Sequence, residues 1–228
     1  DLDIGGIDAS QLRWTVNTIG SIRATVSWRR PLTGTFTSPD GHTVQADMWI
    51  TDKSKNVTRV TLTGPRASSS PGSLTRPFLP QTFELVGRDS SGNEVRYGFV
   101  LRQWFVNRGG KVDYARDQTE WCRSLGYSMP RVRDLTNAVC SGWNSNSYCQ
   151  GAVGATPSSG NNAYQRRIGA GFFTEWGYLY YYADAGFDYY YYWTSDDAGS
   201  YQFGVYPYDG NVFSLSASSS RSGLCTAP

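Results

Sequence analysis

Cysteine and histidine are the residue types that could support redox or metal chemistry in this chain of 228 residues. The four cysteines all lie in the second half, at Cys122, Cys140, Cys149 and Cys225. An even count predicts two disulfides and an oxidising compartment, with buried free thiols as the alternative. The cysteines lack the paired Cys-x-x-Cys spacing of a zinc site, and His42, the single histidine, cannot complete one. No metal and no other cofactor are expected.

Acid–base catalysis would need His42 beside a nucleophile, or two carboxylates across a cleft. His42 falls in a turn sequence at residues 40–43, where a solvated histidine is the simpler interpretation. A glycosidase needs carboxylates about 5–9 Å apart, and Glu175 with Asp196 or Asp197 is the one pair worth testing. We therefore expect that the chain is not an enzyme.

Charge and hydropathy exclude two classes of partner. The formal net charge is +2, which is too small to favour nucleic acid or an anionic membrane. No run approaches the roughly 20 apolar residues of a membrane helix, so no direct membrane contact is expected. No signal peptide opens the chain, so an exported protein would be represented here by a processed or excerpted piece.

Aromatic residues make up 15 % of the chain, with 16 Tyr and 8 Trp. Tyr and Trp supply large, stiff contact area with a polar tip, which protein interfaces favour. A β-rich core also uses aromatic residues, so composition alone leaves both interpretations open.

The first hundred residues alternate apolar and polar side chains. The clearest run is residues 95–101, and residues 44–50 show the same pattern. Turn sequences at residues 38–41 and 90–93 separate such runs. The pattern predicts an all-β immunoglobulin-like sandwich over residues 1–101. It has no antibody-type disulfide, because no cysteine precedes Cys122.

The pattern changes near Arg102 and predicts a mixed α+β domain over residues 102–228. A helix is expected to start after Asp113 and to end at Gly126, and a short second helix follows with Pro130 in its first turn. Residues 140–162 form a long irregular loop, which a bridge between Cys140 and Cys149 would pin. A hairpin is expected around residues 209–210.

The second domain resembles a C-type-lectin-like domain. The run at residues 115–135, with Trp121-Cys122, Leu125-Gly126 and Pro130, resembles that fold's two opening helices, and residues 192–196, residues 209–212 and the late Cys225 resemble its later strands. The resemblance implies a disulfide between Cys122 and Cys225. An immunoglobulin-like module directly before such a domain resembles the intimin and invasin family, the inverse autotransporter adhesins, and residues 169–177 look like a segment of its predicted members.

The resemblance implies a bacterial surface adhesin tip that binds a host protein without catalysis and acts in virulence. The partner would be a host receptor, immunoglobulin or matrix protein, and the chain would act as a monomer. Its location would be extracellular, at the bacterial surface, with an outer-membrane β-barrel outside this sequence as anchor. The alternative is a carbohydrate-binding module that stacks sugars on tyrosines, and a phage-type display domain is a weaker one. The calcium motifs of sugar-binding members are missing, so no calcium-dependent sugar binding is expected.

The binding face is expected in the aromatic stretch at residues 178–192, helped by the loop between Cys140 and Cys149. Aromatic side chains around a turn at residues 183–186 are costly in water unless they meet a partner. If residues 189–193 form a strand with Trp193 inward, Tyr190 and Tyr192 face outward. The alternative is that these tyrosines are core residues of a strand. The predicted contact residues are Tyr180, Tyr181, Tyr182, Asp184, Phe187, Asp188, Tyr190 and Tyr192.

Overall fold

The alternating residues of the first part form short antiparallel strands. The computed structural model describes residues 1–67 and 72–228, and strands make up 32 % of the chain against 12 % for helices. The predicted β-rich fold is therefore confirmed. The strands of the first part are β1 (Arg13–Thr18), β2 (Arg23–Arg29), β3 (Thr35–Thr37), β4 (Thr43–Gln45), β5 (Val57–Thr63), β6 (Gln81–Arg88) and β7 (Glu94–Leu101).

Antiparallel pairing arranges these strands, in the described ranges, as β1-β6-β7, β2-β5 and β3-β4. The central strand β6 carries the core, because Phe83 and Leu85 are fully buried. Phe83 pairs with Phe99 across the β6–β7 ladder, and their rings stack 4.8 Å apart. The alternation of β7 thus places one face against apolar neighbours and leaves the other in water.

The alternation at residues 44–50 predicts a strand over the whole run, and this prediction is wrong. Strand β4 ends at Gln45, and Asp47 adopts a left-handed φ of 50°. The Asp47 carboxylate is buried, where it accepts hydrogen bonds from Arg29 and from the backbone N–H of Leu32. A buried ion pair therefore overrides the period-2 pattern at this turn.

The second part combines strands and short helices. Strands β9 (Tyr192–Ala198), β10 (Tyr201–Val205) and β11 (Val212–Ser216) form one antiparallel sheet, and β8 (Trp104–Asn107) pairs with β12 (Leu224–Ala227) near the end of the chain. In the described ranges, no strand of the first part pairs with a strand of the second. The helices are α1 (Ala115–Ser124), α2 (Val132–Leu135) and α3 (Phe172–Trp176).

The two predicted helices are present with small shifts at their starts. Tyr114, not Asp113, occupies the N-cap of α1, because the backbone of Asp113 bonds instead to Arg221. Gly126 follows the end of α1 with a φ of 79°, a conformation that glycine adopts without strain. Helix α2 begins at Val132, after an Arg131 N-cap, rather than at Pro130.

Both predicted disulfides are present. Cys122 on α1 bonds to Cys225 on β12, which ties the first helix of the second part to its last strand. Cys140 bonds to Cys149 and closes the predicted loop. Fully buried Trp193 packs in the cluster around the first of these bridges. Among the described residues, no helix is both long enough and apolar enough to span a bilayer.

Candidate functional site

The turn at residues 183–185 packs against the first part of the chain. The ring of Tyr182 stacks on Trp49 with centroids 5.7 Å apart, and the Arg59 guanidinium lies 5.0 Å from the centroid of the same ring. Asp184 lies 3.8 Å from Arg59, and the backbone N–H of Asp47 donates to the carbonyl of Tyr181. The exposed position predicted for Tyr182 is therefore wrong, because its ring contacts this chain's own residues. Asp184 is exposed, as predicted.

Asp47 is the anchor of these contacts, and its removal is expected to be costly. Its side chain is 1 % exposed and pairs with Arg29 at 3.1 Å and with Arg59 at 3.4 Å. Asp47→Ala removes the acceptor of Arg29 and of the backbone N–H of Leu32 and leaves buried Arg59 with Asp1 as its close partner, so the free energy of unfolding should fall by about 3 kcal/mol in urea denaturation. Asp52→Ala, which removes an exposed carboxylate beside Lys55, should have a much smaller effect. Equal effects of the two substitutions would contradict the anchor role.

Three of the predicted contact residues are buried, which corrects the prediction that they face a partner. Tyr180 is buried with its phenol 3.3 Å from the hydroxyl of Ser38. Asp188 accepts hydrogen bonds from Ser222 and from the backbone N–H of Tyr189. Tyr192 accepts one from the backbone N–H of Asp188, and its side chain is fully buried.

The error at Tyr192 arose from the assumed strand. Strand β9 begins at Tyr192, so residues 189–191 do not take part in its alternation. Tyr192 and Trp193 are both buried because the start of β9 is covered on both faces. Phe187 is half-buried against Phe172 and belongs mainly to the core.

Burial of Asp188 makes the free energy of unfolding depend on pH. Loss of hydration raises the pKa of Asp188 above its ordinary value, although the hydrogen bond from Ser222 opposes this. The folded state therefore keeps the proton to higher pH than the unfolded chain. The contribution of Asp188 to the free energy of unfolding must therefore decrease as the pH rises from about 4, the ordinary pKa of aspartate, through the raised pKa.

Asp188→Asn removes that proton equilibrium, so the variant should gain stability relative to the parent chain as pH rises. Urea unfolding at about pH 3.5 and about pH 7 measures the change. Hydrogen bonds from Ser54 lower the pKa of Asp52, so Asp52→Asn should lose relative stability over the same interval. A constant or falling relative stability of Asp188→Asn would refute the assignment.

A set of aromatic side chains linked by ring contacts lies beside this buried group and is formed by four segments of the second part. The segments are residues 178–191, the turn between β10 and β11, strand β11 and the disulfide-closed loop. We call it the tyrosine surface. Its exposed or half-buried members are Tyr148, Tyr178, Tyr181, Tyr189, Tyr190, Tyr191, Tyr206, Tyr208 and Phe213.

Ring contacts connect the centre of the tyrosine surface. Tyr178 meets Tyr181 edge-on at 4.7 Å and Tyr208 edge-on at 5.1 Å. Tyr206 continues the series, at 6.2 Å from Tyr208 and stacked on Tyr191 at 5.1 Å. The β10–β11 turn thus brings two tyrosines onto the stretch that the sequence had singled out.

The two ends of the tyrosine surface are also held by ring contacts. Tyr148, in the loop between Cys140 and Cys149, stacks on Phe213 of β11 at 4.4 Å. Phe213 in turn lies 6.2 Å from Tyr191, so the loop lies beside the predicted stretch. At the other end, Tyr189 and Tyr190 lie 4.2 Å apart and join the centre through the buried ring of Tyr180.

Hydrogen bonds and burial set the chemical character of this surface. The phenol of Tyr191 donates to Asn211, whose backbone and side-chain N–H groups both donate to Asp209. Burial raises the pKa of Tyr178 and of Tyr206 above their ordinary values. These phenols are neutral near pH 7 and can donate hydrogen bonds.

The sequence prediction and the structure overlap in part of this surface. Tyr181 and Tyr190 were predicted and lie on it. Tyr206 and Tyr208 were missed, although they flank Pro207 in a hairpin turn. The rule applied to residues 183–186, that aromatic residues at a loop tip indicate contact with a partner, would have found them.

Neither protein-family models, nor curated proteins, nor solved structures gave a match to this chain.

Proposed function

We propose that the chain is the binding tip of a bacterial surface adhesin and that its tyrosine surface engages a protein on the host cell without catalysis. In this proposal, residues 1–101 form an immunoglobulin-like domain and residues 102–228 a C-type-lectin-like domain of the intimin and invasin type. The observation that carries the proposal is the tyrosine surface, whose ring contacts link segments distant in sequence.

The pairing of strands supports the two-domain assignment. In the described part of the chain, β1–β7 pair only with one another and β8–β12 only with one another. The second part has its own buried clusters, around Trp193 and around Phe173. The pairing of β8 with β12 brings the start and the end of the second part together, as expected of an independent domain.

The chemistry of the tyrosine surface supports protein recognition. Tyrosine offers large apolar area and a polar tip at low cost in side-chain entropy, because it has few rotatable bonds. Half-buried rings such as Tyr178 and Tyr191 are already held by neighbours, so binding has little left to immobilise. Neutral phenols can then hydrogen-bond to a protein backbone at the rim of the contact.

The alternative, a carbohydrate-binding module built on tyrosine stacking, fits this surface less well. A sugar platform requires open, coplanar ring faces. Tyr178 stands at 78° to Tyr181 and at 88° to Tyr208, and Tyr191 and Tyr206 cover each other's faces. The ring geometry therefore favours a protein partner.

Binding of the fluorescently labelled chain to host epithelial cells tests the proposal. Cells shaved with trypsin should lose binding, because the partner is a protein, and cells whose glycans are oxidised with mild periodate should keep most of it. Binding that survives trypsin and disappears after periodate would overturn the proposal in favour of the carbohydrate module.

Binding is also expected to be independent of metal ions. Among the described residues, no group of three or more His, Cys, Asp or Glu side chains is placed to hold a metal ion. A chelator should therefore leave both cell binding and the melting temperature of the chain unchanged. A clear loss of either after chelation, restored by calcium, would show that a metal site contributes.

A further inference from the structure

The two disulfides of the chain differ in their access to solvent. Cys122 and Cys225 are both fully buried, in the cluster around Trp193. Cys140 is only half-buried, and residues 141–148, which follow it in the loop, are all exposed. Thiol–disulfide exchange begins when a thiolate reaches one sulfur of the bridge, so access decides which bridge reacts. In the folded chain, the bridge between Cys140 and Cys149 is the one open to attack.

The surroundings of this bridge favour attack on Cys140 over attack on Cys149. Cys149 is fully buried, so an incoming thiolate meets the sulfur of Cys140 first. The backbone N–H of Asn146 donates to Sγ of Cys149 at 3.4 Å. A hydrogen bond to this sulfur stabilises the thiolate that forms when the S–S bond breaks, and a more stable leaving thiolate speeds exchange. Cys140 is therefore placed as the attacked sulfur and Cys149 as the leaving group.

The same bridge holds Tyr148 against the tyrosine surface. In the part of the chain that the structure describes, the hydrogen bonds of residues 145–148 all stay within residues 140–149. The stack of Tyr148 on Phe213, at 4.4 Å, joins this part of the loop to β11. Once the bridge opens, the backbone entropy of these exposed residues exceeds what one aromatic pair contributes, so Tyr148 should leave Phe213.

We propose that the bridge between Cys140 and Cys149 is a site of thiol–disulfide exchange with low-molecular-weight thiols, and that exchange releases Tyr148 from the tyrosine surface. The small thiolate bonds to Sγ of Cys140, and Cys149 leaves with the electron pair of the broken S–S bond and takes a proton from water. A second thiolate attacks the small molecule's sulfur in this mixed disulfide. Both cysteines then end as thiols, and two molecules of the small thiol end as one disulfide.

The consequence for binding rests on the proposed function, because the reduced chain presents a tyrosine surface without Tyr148.

Brief treatment of the native chain with reduced glutathione tests the exchange site. The reaction is quenched in acid, free thiols are capped with N-ethylmaleimide in urea, and the peptides are mapped by mass spectrometry. The trapped product should carry glutathione on Cys140 and maleimide on Cys149. The bridge between Cys122 and Cys225 should react at least about a thousandfold more slowly, because a thiolate reaches it only through the unfolded state. Glutathione mainly on Cys149, or equal rates for the two bridges, would overturn the proposal.

Hydrogen–deuterium exchange of the native chain with and without glutathione tests the release of Tyr148. Exchange at residues 147–149 should become faster in the treated chain. The variant C140A/C149A is the matched control, because glutathione has no bridge to open there and should leave its exchange unchanged. Unchanged exchange at residues 147–149 in the treated native chain would show that Tyr148 stays in place and would refute the release.

Binding to host cells tests the consequence for the tyrosine surface. C140A/C149A represents the opened loop without exposing the cells to thiol, and it should bind about tenfold more weakly than the parent chain, as should Tyr148→Ala. Parent-like binding of C140A/C149A beside weakened binding of Tyr208→Ala would overturn control by the bridge. Absence of binding by the parent chain would contradict the proposed function alone, because the glutathione map needs no partner.

Discussion

Loss of the disulfide between Cys122 and Cys225 is expected to lower the free energy of unfolding by about 4–5 kcal/mol. The bridge spans 103 residues, and a crosslink restricts the unfolded chain more strongly as the loop that it closes grows. Both cysteines are fully buried and join α1 to β12. Urea denaturation of the double variant C122A/C225A, without reductant, measures the loss.

The second bridge provides the matched control, because it closes a much shorter loop. Cys140 and Cys149 have a sequence separation of 9. The same dependence of stability on loop length gives a loss of about 2.5 kcal/mol for this bridge. The variant C140A/C149A should therefore lose roughly half as much stability as C122A/C225A. An equal or larger loss for the short loop would contradict the entropic account of both bridges.

Alanine at Tyr208 is expected to weaken partner binding by roughly thirtyfold, which corresponds to about 2 kcal/mol. Tyr208 is 53 % exposed and contacts the rings of Tyr178 and Tyr206. It therefore combines a free face for the partner with neighbours that fix its position. Titration of the chain onto host cells, by flow cytometry, gives the apparent Kd of each variant.

Tyr201→Ala is the matched control for Tyr208→Ala. Tyr201 is 50 % exposed, begins β10 and lies outside the tyrosine surface. Its replacement should change the apparent Kd by less than about twofold, because it removes equal area from a face that meets no partner. If both variants bind as tightly as the parent chain, with melting temperatures unchanged, Tyr208 does not contact the partner.

Local sequence signals predicted α1, α2 and the β10–β11 turn, but neither α3 nor the turn at Asp47. Gly126 marks the end of α1 because its left-handed conformation is a local requirement, and the hairpin turn around Gly210 follows from the same chemistry. The Cys122–Cys225 bridge was expected from the family resemblance, since nothing local pairs residues so far apart in the chain.

The candidate site was only partly predictable, because its members come from segments that meet only in the folded chain. From the sequence, Asp188 was expected to be a solvent-exposed residue at the rim of the binding face. In the structure its carboxylate is buried and accepts a hydrogen bond from Ser222. Tyr182 reads as a loop-tip aromatic residue, yet Arg59 and Trp49 cover it. Contacts between distant segments decided both positions, and no pattern within residues 178–192 carries that information.

Hydrogen–deuterium exchange tests the central claim most directly, when the free chain is compared with the chain saturated by a host-cell protein that has been identified by cross-linking the chain to the cell surface. Binding through the tyrosine surface should slow exchange at residues 178–191 and at residues 206–211 of the β10–β11 turn. Exchange in β6 and β7 should stay unchanged. Protection confined to the open face of β6 and β7, around Thr82, Arg96 and Val100, would place the binding site in the first part and contradict the proposal.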